Sequence, residues 1–289
     1  MSPLPVTRLV VPFLLMSLVG CGGSPRPRDL QSEEAAPQAI VTPTAPMSAG
    51  PGSLPKMDAA FEQAIRPADQ PPAGANRPPD ATFTGFPVFK LMRQVREDWP
   101  AIRFEDDEGR PVSWIVTMET QLGAIEISML PHLAPNHARH FLALVRAGYY
   151  KGMRFDRIRQ EELVDAGGQV TARVEQLEAG CPLGTGETAG GGLGYWLRHE
   201  THPNAKHAIG MVGACRDEEA DTGCSRFFIL LSDSPHLDGH QVIFAKVTKG
   251  LDVARAILRQ SSDASGEGKP PVIIETASAN SKAASAPRP

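Results

Sequence analysis

Several groups of residues in this 289-residue chain have types and spacings that invite a chemical reading. His199, His202 and His207 lie near one another, as metal ligands often do. The first two fall in a loop with Asn204, which fits a solvated loop better than a metal site. Gly184–Gly194 is rich in glycine, as phosphate-binding loops are, but no Lys-Ser/Thr pair follows it. Ser225 is a nucleophile by type, with no evident base beside it. The four cysteines are Cys21, Cys181, Cys215 and Cys224. A formal net charge of -4 offers no basic surplus for nucleic acid, and no nucleic-acid partner is expected. No cofactor and no metal is expected either.

The elements that would position any site are easier to read. The stretch Pro135–Ile158 begins with helical spacing, Ala138, Phe141, Leu142 and Val145 falling on one face. Asn136 is placed to cap its start, and Gly148 to stop it as a glycine just past the C-terminus. Tyr149-Tyr150-Lys151-Gly152 then turns into a strand carrying Phe155-Asp156-Arg157-Ile158. Upstream, residues 112–130 hold two strand-like runs split at Gln121-Leu122-Gly123. Further strands are expected at His207–Val212, Arg226–Leu231, Val242–Val247 and Val272–Thr276, and a second helix at Leu251–Leu258.

The 27 prolines and 27 glycines are many for one compact domain, and their distribution divides the chain. Residues 1–20 carry a positive end at Arg8 and an apolar run from Leu9 to Leu18, too short to span a bilayer. The run closes on Leu18-Val19-Gly20-Cys21, which resembles the lipobox of bacterial lipoproteins. That resemblance implies a signal peptide over 1–20 and lipidation of Cys21. Residue 22 is glycine rather than an aspartate that would retain the protein at the inner membrane. The expected location is therefore the cell envelope, on the outer membrane facing the periplasm. Residues 21–80, rich in Pro, Ala, Ser and Gln, read as a disordered tether with a reach of about 45 Å. A turn or two of helix over Asp58–Ile65 carries little weight in that reading. Residues 81–112 contain Phe86, Phe89, Leu91, Met92, Trp99, Ile102 and Phe104, enough to dock as a helix and an edge strand. The main domain is placed at 113–277, and 278–289 reads as a disordered tail.

The main domain closely resembles the cyclophilin-type peptidyl-prolyl isomerases. That family shows a T-x-L-G-x-I-x-I strand pair, a P-N-x-x-x-x-F-x-x-L helix and G-Y-Y-x-G-x-x-F-H-R. Its second half runs H-x-x-G-x-x-S-M-A-R, G-S-Q-F-F-I, then L-D-G before V-F-G-x-V. Here the second half reads His207 to Arg216, Gly223 to Ile229, Leu237-Asp238-Gly239 and Val242 to Val247, with spacing unchanged. The resemblance implies a mainly β fold, an eight-stranded antiparallel barrel closed by two α-helices. It implies proline-containing polypeptides as partners and a monomeric enzyme.

The implied reaction needs no nucleophile. Rotation about an Xaa-Pro bond meets a barrier of about 18–20 kcal/mol set by amide resonance. A catalyst holds the proline ring in an apolar pocket and donates a hydrogen bond to the prolyl nitrogen as it pyramidalises. That bond exists only in the twisted state, so it lowers the barrier. A guanidinium suits the task, being always charged and a rigid donor. By the resemblance Arg157 is the catalytic donor and Phe228 with Leu237 forms the proline pocket. Cys215 and Arg216 run along the substrate backbone. Glu178, His236 and Gln241 occupy further substrate-contacting positions.

Several positions depart from the family pattern. Asp156 replaces the histidine of F-H-R, His236 the tryptophan before L-D-G, and Arg226 the glutamine of G-S-Q-F-F. The family's F-M-x-Q-G-G strand has two placements, at Ala166-Gly167-Gly168 or at Glu178-Ala179-Gly180. The second is preferred because Cys181-Pro182-Leu183-Gly184-Thr185-Gly186 follows it as in bacterial relatives. It makes 155–180 one long hairpin about a two-residue turn at Gly167-Gly168, pairing Arg157 with Glu178, Ile158 with Leu177 and Glu162 with Arg173. Residues 163–173 would then project as an arm, a salt bridge would join Arg157 to Glu178, and Glu178 would stand for the family glutamine. Glu175 and Gln176 would stand for the Phe-Met pair. Two functional readings stay open: an isomerase, or a catalytically weak peptide-binding or chaperone module on the same fold. If Cys21 is lipidated, at most one disulfide forms among Cys181, Cys215 and Cys224, and which two pair is open.

Overall fold

The computed structural model describes residues 57–75, 77–186, 192–261 and 270–283. In chain order the elements are α1 (Met57–Ala64), β1 (Ile65–Arg66), α2 (Val88–Asp98), β2 (Val112–Thr120), β3 (Gly123–Met129), α3 (Pro135–Arg146), β4 (Phe155–Val164), β5 (Val170–Ala179), β6 (Trp196–Leu197), β7 (Met211–Ala214), β8 (Phe227–Leu230), β9 (Val242–Lys249), α4 (Leu251–Ser261) and β10 (Ile274–Ala283). The protein is mainly β. Eight strands form one antiparallel sheet in the order β10-β2-β3-β9-β7-β8-β5-β4. Its two ends approach each other. Phe155 N donates to Val272 O at 3.0 Å and Ile274 N to Met153 O at 2.7 Å. The start of β10 thus meets the start of β4 and the sheet curls toward a barrel.

The alternation along β2 and β3 decides which face of the sheet lies inside. Trp114, Val116, Met118, Ile125, Ile127 and Met129 point inward and are buried, while their neighbours face out. A period of two puts all of them on one face. α3 lies against β9 and β10, and α4 against β3 and β5. The expected stripe of α3 is buried, and α4 buries Ala254, Ile257 and Leu258.

The two ends of α3 are held differently. At its C-terminus Gly148 has φ 76° and its N–H donates to Val145 O, while Tyr149 N–H donates to Leu144 O, each at 3.0 Å. These are the paired bonds of a Schellman motif. At the N-terminus Asn136 does not cap, because Pro135 already occupies the first turn. The distant Glu200 carboxylate accepts the Asn136 and His137 N–H groups at 3.1 and 2.9 Å, and the His137 Nδ1 contact is 2.7 Å. Burial pushes the Glu200 carboxyl up, but the His137 and Asn136 hydrogen bonds outweigh it and hold the carboxyl below its ordinary value. An anion there also answers the helix dipole. Glu200→Ala is expected to cost about 2 kcal/mol in urea denaturation, from the lost cap and the orphaned N–H donors. In the wild type this contribution is lost as pH falls through the depressed carboxyl pKa, because only the ionised form accepts all these bonds.

Segments on both sides of the main domain, 57–66 and 278–283, form regular structure that the composition does not suggest. Within the expected tether, α1 and β1 dock on the domain. Phe61 and Ile65 are fully buried, and the Phe61 ring meets Trp99 and Tyr195 edge-on at 5.1 and 5.8 Å. β1 pairs with β6, Ile65 opposite Leu197. Two apolar residues four apart are too few to register as a periodic pattern, yet they fill a niche supplied by later segments. The remainder of 21–56 lies outside the described residues. After the main domain, the expected tail is corrected over 278–283, while 284–289 lies outside the described residues. β10 continues to Ala283, and Lys282 pairs with Ser113. Ala-Ser-Ala-Asn-Ser carries no strand propensity, and the main-chain ladder with β2 forms the strand instead. In the lead-in segment α2 packs through Val88, Leu91 and Val95. In place of the expected edge strand, the segment holds two isolated bridges, Ala81 with Pro87 and Glu105 with Pro111.

The β4–β5 hairpin has the preferred register. Arg157 pairs with Glu178, Ile158 with Leu177 and Glu162 with Arg173. β8 accompanies β5 only along Gln176–Ala179, so the outer part of the hairpin extends beyond the sheet. Its turn differs from the two-residue form. Asp165 N bonds Gln169 O and Gly168 N bonds Asp165 O, both at 2.9 Å, with Gly168 at φ 80°. The Asp165 side chain accepts the N–H groups of Gly167 and Gln169, which favours this longer loop.

A candidate active-site cleft

Four strands set one row of residues across the sheet. Arg157 on β4 lies opposite Glu178 on β5, Glu178 opposite Phe228 on β8, and Phe228 opposite Gly213 on β7. Strand spacing separates the Arg157 and Phe228 backbones by about 10 Å. Gly213 is needed there, since a Cβ would collide with the Phe228 ring. Above this row opens a cleft lined by Arg157, Arg159, Gln176, Glu178, Cys215, Arg216, Phe228, Leu237 and Gln241. It therefore gathers all but one of the residues expected at the substrate site. His236 is the exception. It lies on the exposed short turn Pro235–Leu237, outside the lining. Partial burial and the nearby Arg159 push its imidazole below the ordinary value. Cys21 lies outside the described residues.

The cleft floor is apolar. Phe228 belongs to a small cluster with Leu133, Ala205, Leu230 and Ile243, with Leu237 and Cys215 packed against it, separate from the main core. His207 stacks on Phe228 with ring centroids 6.4 Å apart. Its Nδ1 and its backbone N–H both meet Asp238 Oδ1 at 2.9 Å. Burial works against the Asp238 charge, but His207 and Lys206 hold its carboxyl at about 2. The aspartate beside Leu237 thus pins the pocket wall to the residue that backs the pocket floor. His207 does not share a metal site with His199 and His202. Among the described residues no group of three or more His, Cys, Asp or Glu is placed to hold a metal ion.

Arg157 is exposed, and its guanidinium makes no hydrogen bond or ion pair with any described residue. The expected salt bridge to Glu178 is absent, although the backbones pair. Glu178 instead forms a buried ion pair with Arg226, and Gln176 Nε2 donates to Glu178 Oε1 at 2.8 Å. Arg226 also donates to Gly186 O at 3.0 Å. The physical reason is burial. Arg226 is enclosed and must find an anion, whereas Arg157 has water. Asp156 does not face the cleft lining. Its Oδ2 accepts Cys181 N–H at 3.1 Å, and burial raises its pKa. Ser225 is structural: its Oγ donates to Gly180 O at 2.9 Å, and the buried Tyr149 and Tyr150 hydroxyls bond to Ser225 Oγ and O. Cys181, Cys215 and Cys224 form no disulfide with one another. Burial pushes the Cys215 thiol well above its ordinary value. Part of the glycine-rich loop, 187–191, lies outside the described residues.

Sequence reasoning missed Arg159 as a lining residue and placed Gln176 only as the stand-in for one of the family's Phe-Met pair. Both were reachable by strand alternation, since each lies two residues from an expected site residue and shares its face.

A family model, "Cyclophilin type peptidyl-prolyl cis-trans isomerase/CLD", matches residues 115–279. Peptidyl-prolyl cis-trans isomerase B of Bacillus subtilis is 36% identical over 135 residues, covering 45% of this chain and 80% of that protein. A peptidyl-prolyl cis-trans isomerase of Helicobacter pylori is 34% identical over 140 residues, covering 47% and 76%. Among solved structures, a cyclophilin type isomerase of Cryptosporidium parvum aligns with TM-score 0.47 and 25% identity, over 58% of this chain and 98% of that one.

Proposed function

The chain belongs to the cyclophilin-type peptidyl-prolyl cis-trans isomerase family, and on that premise we propose that the cleft over Phe228 is its catalytic site, with Arg157 as the donor to the prolyl nitrogen. The enzyme acts on proline-containing peptides. The observation that carries the site assignment is an unpartnered guanidinium at the mouth of an apolar cluster. The proline ring rests on Phe228 against Leu237, and the peptide backbone runs past Cys215 and Arg216. In the ground state the prolyl nitrogen lone pair is delocalised and accepts poorly. As the bond twists the lone pair localises, and Arg157, with no internal partner to give up, donates to it. Glu178, Gln176 and Gln241 line the rest of the cleft. The direct test is the cis-to-trans exchange rate of an Xaa-Pro peptide with and without the full chain. Acceleration is expected, and an unchanged rate counts against the site.

The cellular setting belongs to the same proposal. The apolar run ending in Leu18-Val19-Gly20-Cys21 supports a lipid anchor at Cys21, and Gly22 favours the outer membrane. The enzyme would then assist the folding of envelope proteins as a monomer held at the membrane. Cys21→Ser is expected to move the protein from the membrane pellet to the soluble fraction. Retention in the pellet contradicts the anchor.

A further inference from the structure

The cleft carries more positive charge than the donation to proline requires. Three arginines line it: Arg157, Arg159 and Arg216. Its acidic lining residue, Glu178, is already matched by Arg226 behind it. Arg216 is half-buried and forms no ion pair with a described residue. Its Nε donates to His240 O at 2.9 Å, and its Nη1 donates to Asp217 O and Glu218 O, each at 2.8 Å. Those carbonyls fix the side chain without neutralising it. Arg159 is paired with Glu161, at 3.0 Å on the same strand, and the Glu178 carboxylate also acts on it from across the cleft lining. Arg159 and Glu161 are both partly exposed, so their pair is weak and open to exchange. His236 at the rim is held toward its neutral form and does not add to the charge.

The placement of these groups matters. Arg159 lies two residues beyond Arg157 on β4, about 7 Å along the strand and on the same face. Arg216 enters from the end of β7, where the apolar floor stops. If Arg157 serves the prolyl amide, the other two guanidiniums flank it. Each brings a positive charge that a carboxylate can meet: Arg159 through the Nε and Nη2 groups that now hold Glu161, and Arg216 through Nη2, since its Nε and Nη1 donate to carbonyls.

We infer that this isomerase prefers proline-containing segments with acidic side chains next to the proline, held by Arg159 and Arg216. The inference rests on the assignment of the cleft as the catalytic site. Around a proline, a glutamate on either side would meet an arginine, whereas a lysine would meet like charge. The field of such a cleft also raises the local concentration of acidic peptides and fades with salt.

The test uses three matched peptides, with glutamate, glutamine or lysine flanking the proline, and the full chain. Both kcat/KM by exchange spectroscopy and affinity by calorimetry are read. The glutamate peptide is expected to exceed the glutamine peptide by about three- to fivefold per carboxylate, with the lysine peptide lowest and the ratio shrinking in high salt. Arg159→Gln and Arg216→Gln should each lower the glutamate-to-glutamine ratio, whatever the absolute rate of the variant. Arg159→Lys should retain most of it, and Glu161→Gln should raise it. Equal handling of all three peptides, or a ratio untouched by these variants, overturns the inference. Should no peptide be turned over, the catalytic reading fails, and the calorimetric ratio still decides the acidic preference.

Discussion

Arg226→Gln is expected to destabilise the protein by about 3 kcal/mol. Breaking a buried ion pair strands the surviving charge, and the usual cost is about 3–5 kcal/mol. The lower figure applies because Glu178 borders the cleft and water can reach part of it. Gln176 continues to donate to Glu178 Oε1, but Gly186 O loses its donor. Glu178→Gln should also destabilise, by leaving the Arg226 guanidinium enclosed without an anion. The double change Glu178→Gln with Arg226→Gln removes both charges at once. It should recover most of the loss, because replacing both members of a buried pair is close to neutral. Urea denaturation of the four proteins forms a double-mutant cycle, and a coupling energy of about 2 kcal/mol or more is expected. Additive single effects would mean that the two side chains do not depend on each other in the folded protein.

The same pair shows where sequence reading reached its limit. The hairpin register followed from the Cys181–Gly186 continuation and from a double glycine midway between runs whose opposite members pair sensibly, and the three pairings named for it are present. Backbone pairing, however, does not fix which side chains meet. Glu178 stands opposite Arg157 in the ladder, yet its carboxylate turns to Arg226, distant in sequence and placed just before β8, the strand on the other side of β5. Burial decided between two arginines, and burial is a property of the assembled sheet. The helical stripe of α3 was legible because four residues repeated at helical spacing. The cap supplied by Glu200 was not, because nothing local distinguishes that glutamate. The order of 278–283 was hidden for a related reason. Its residues are small and polar, and the strand exists through the partner it lies beside. At the cleft, the residues read from motif spacing were gathered together, except His236. Arg159 was passed over because it has no counterpart in the motif.

The second large effect concerns turnover. Arg157→Ala is expected to lower kcat by roughly ten- to a hundredfold. A hydrogen bond from a charged donor contributes about 1.5–3 kcal/mol, and each 1.36 kcal/mol is a factor of ten in rate. Stability should change little, since the side chain is exposed and bonded to no described residue. Peptide affinity should also change little, because the planar amide nitrogen gives the arginine no ground-state acceptor. Phe228→Ala acts on the other half of the site. It removes a buried ring from the apolar cluster under the cleft, so stability should drop by about 3–5 kcal/mol, and on the proposed site, where the proline ring rests on Phe228, binding and turnover should fall together.

The contrast between these two variants isolates the role of the guanidinium. The most direct measurement is the catalysed exchange rate of one Xaa-Pro peptide under saturation, for the wild-type chain and Arg157→Ala, with affinity measured on the same samples. A loss of ten- to a hundredfold in kcat at nearly constant affinity is the predicted result. An unchanged catalysed rate in Arg157→Ala would contradict the account, since the twisted amide would then draw its stabilisation from elsewhere.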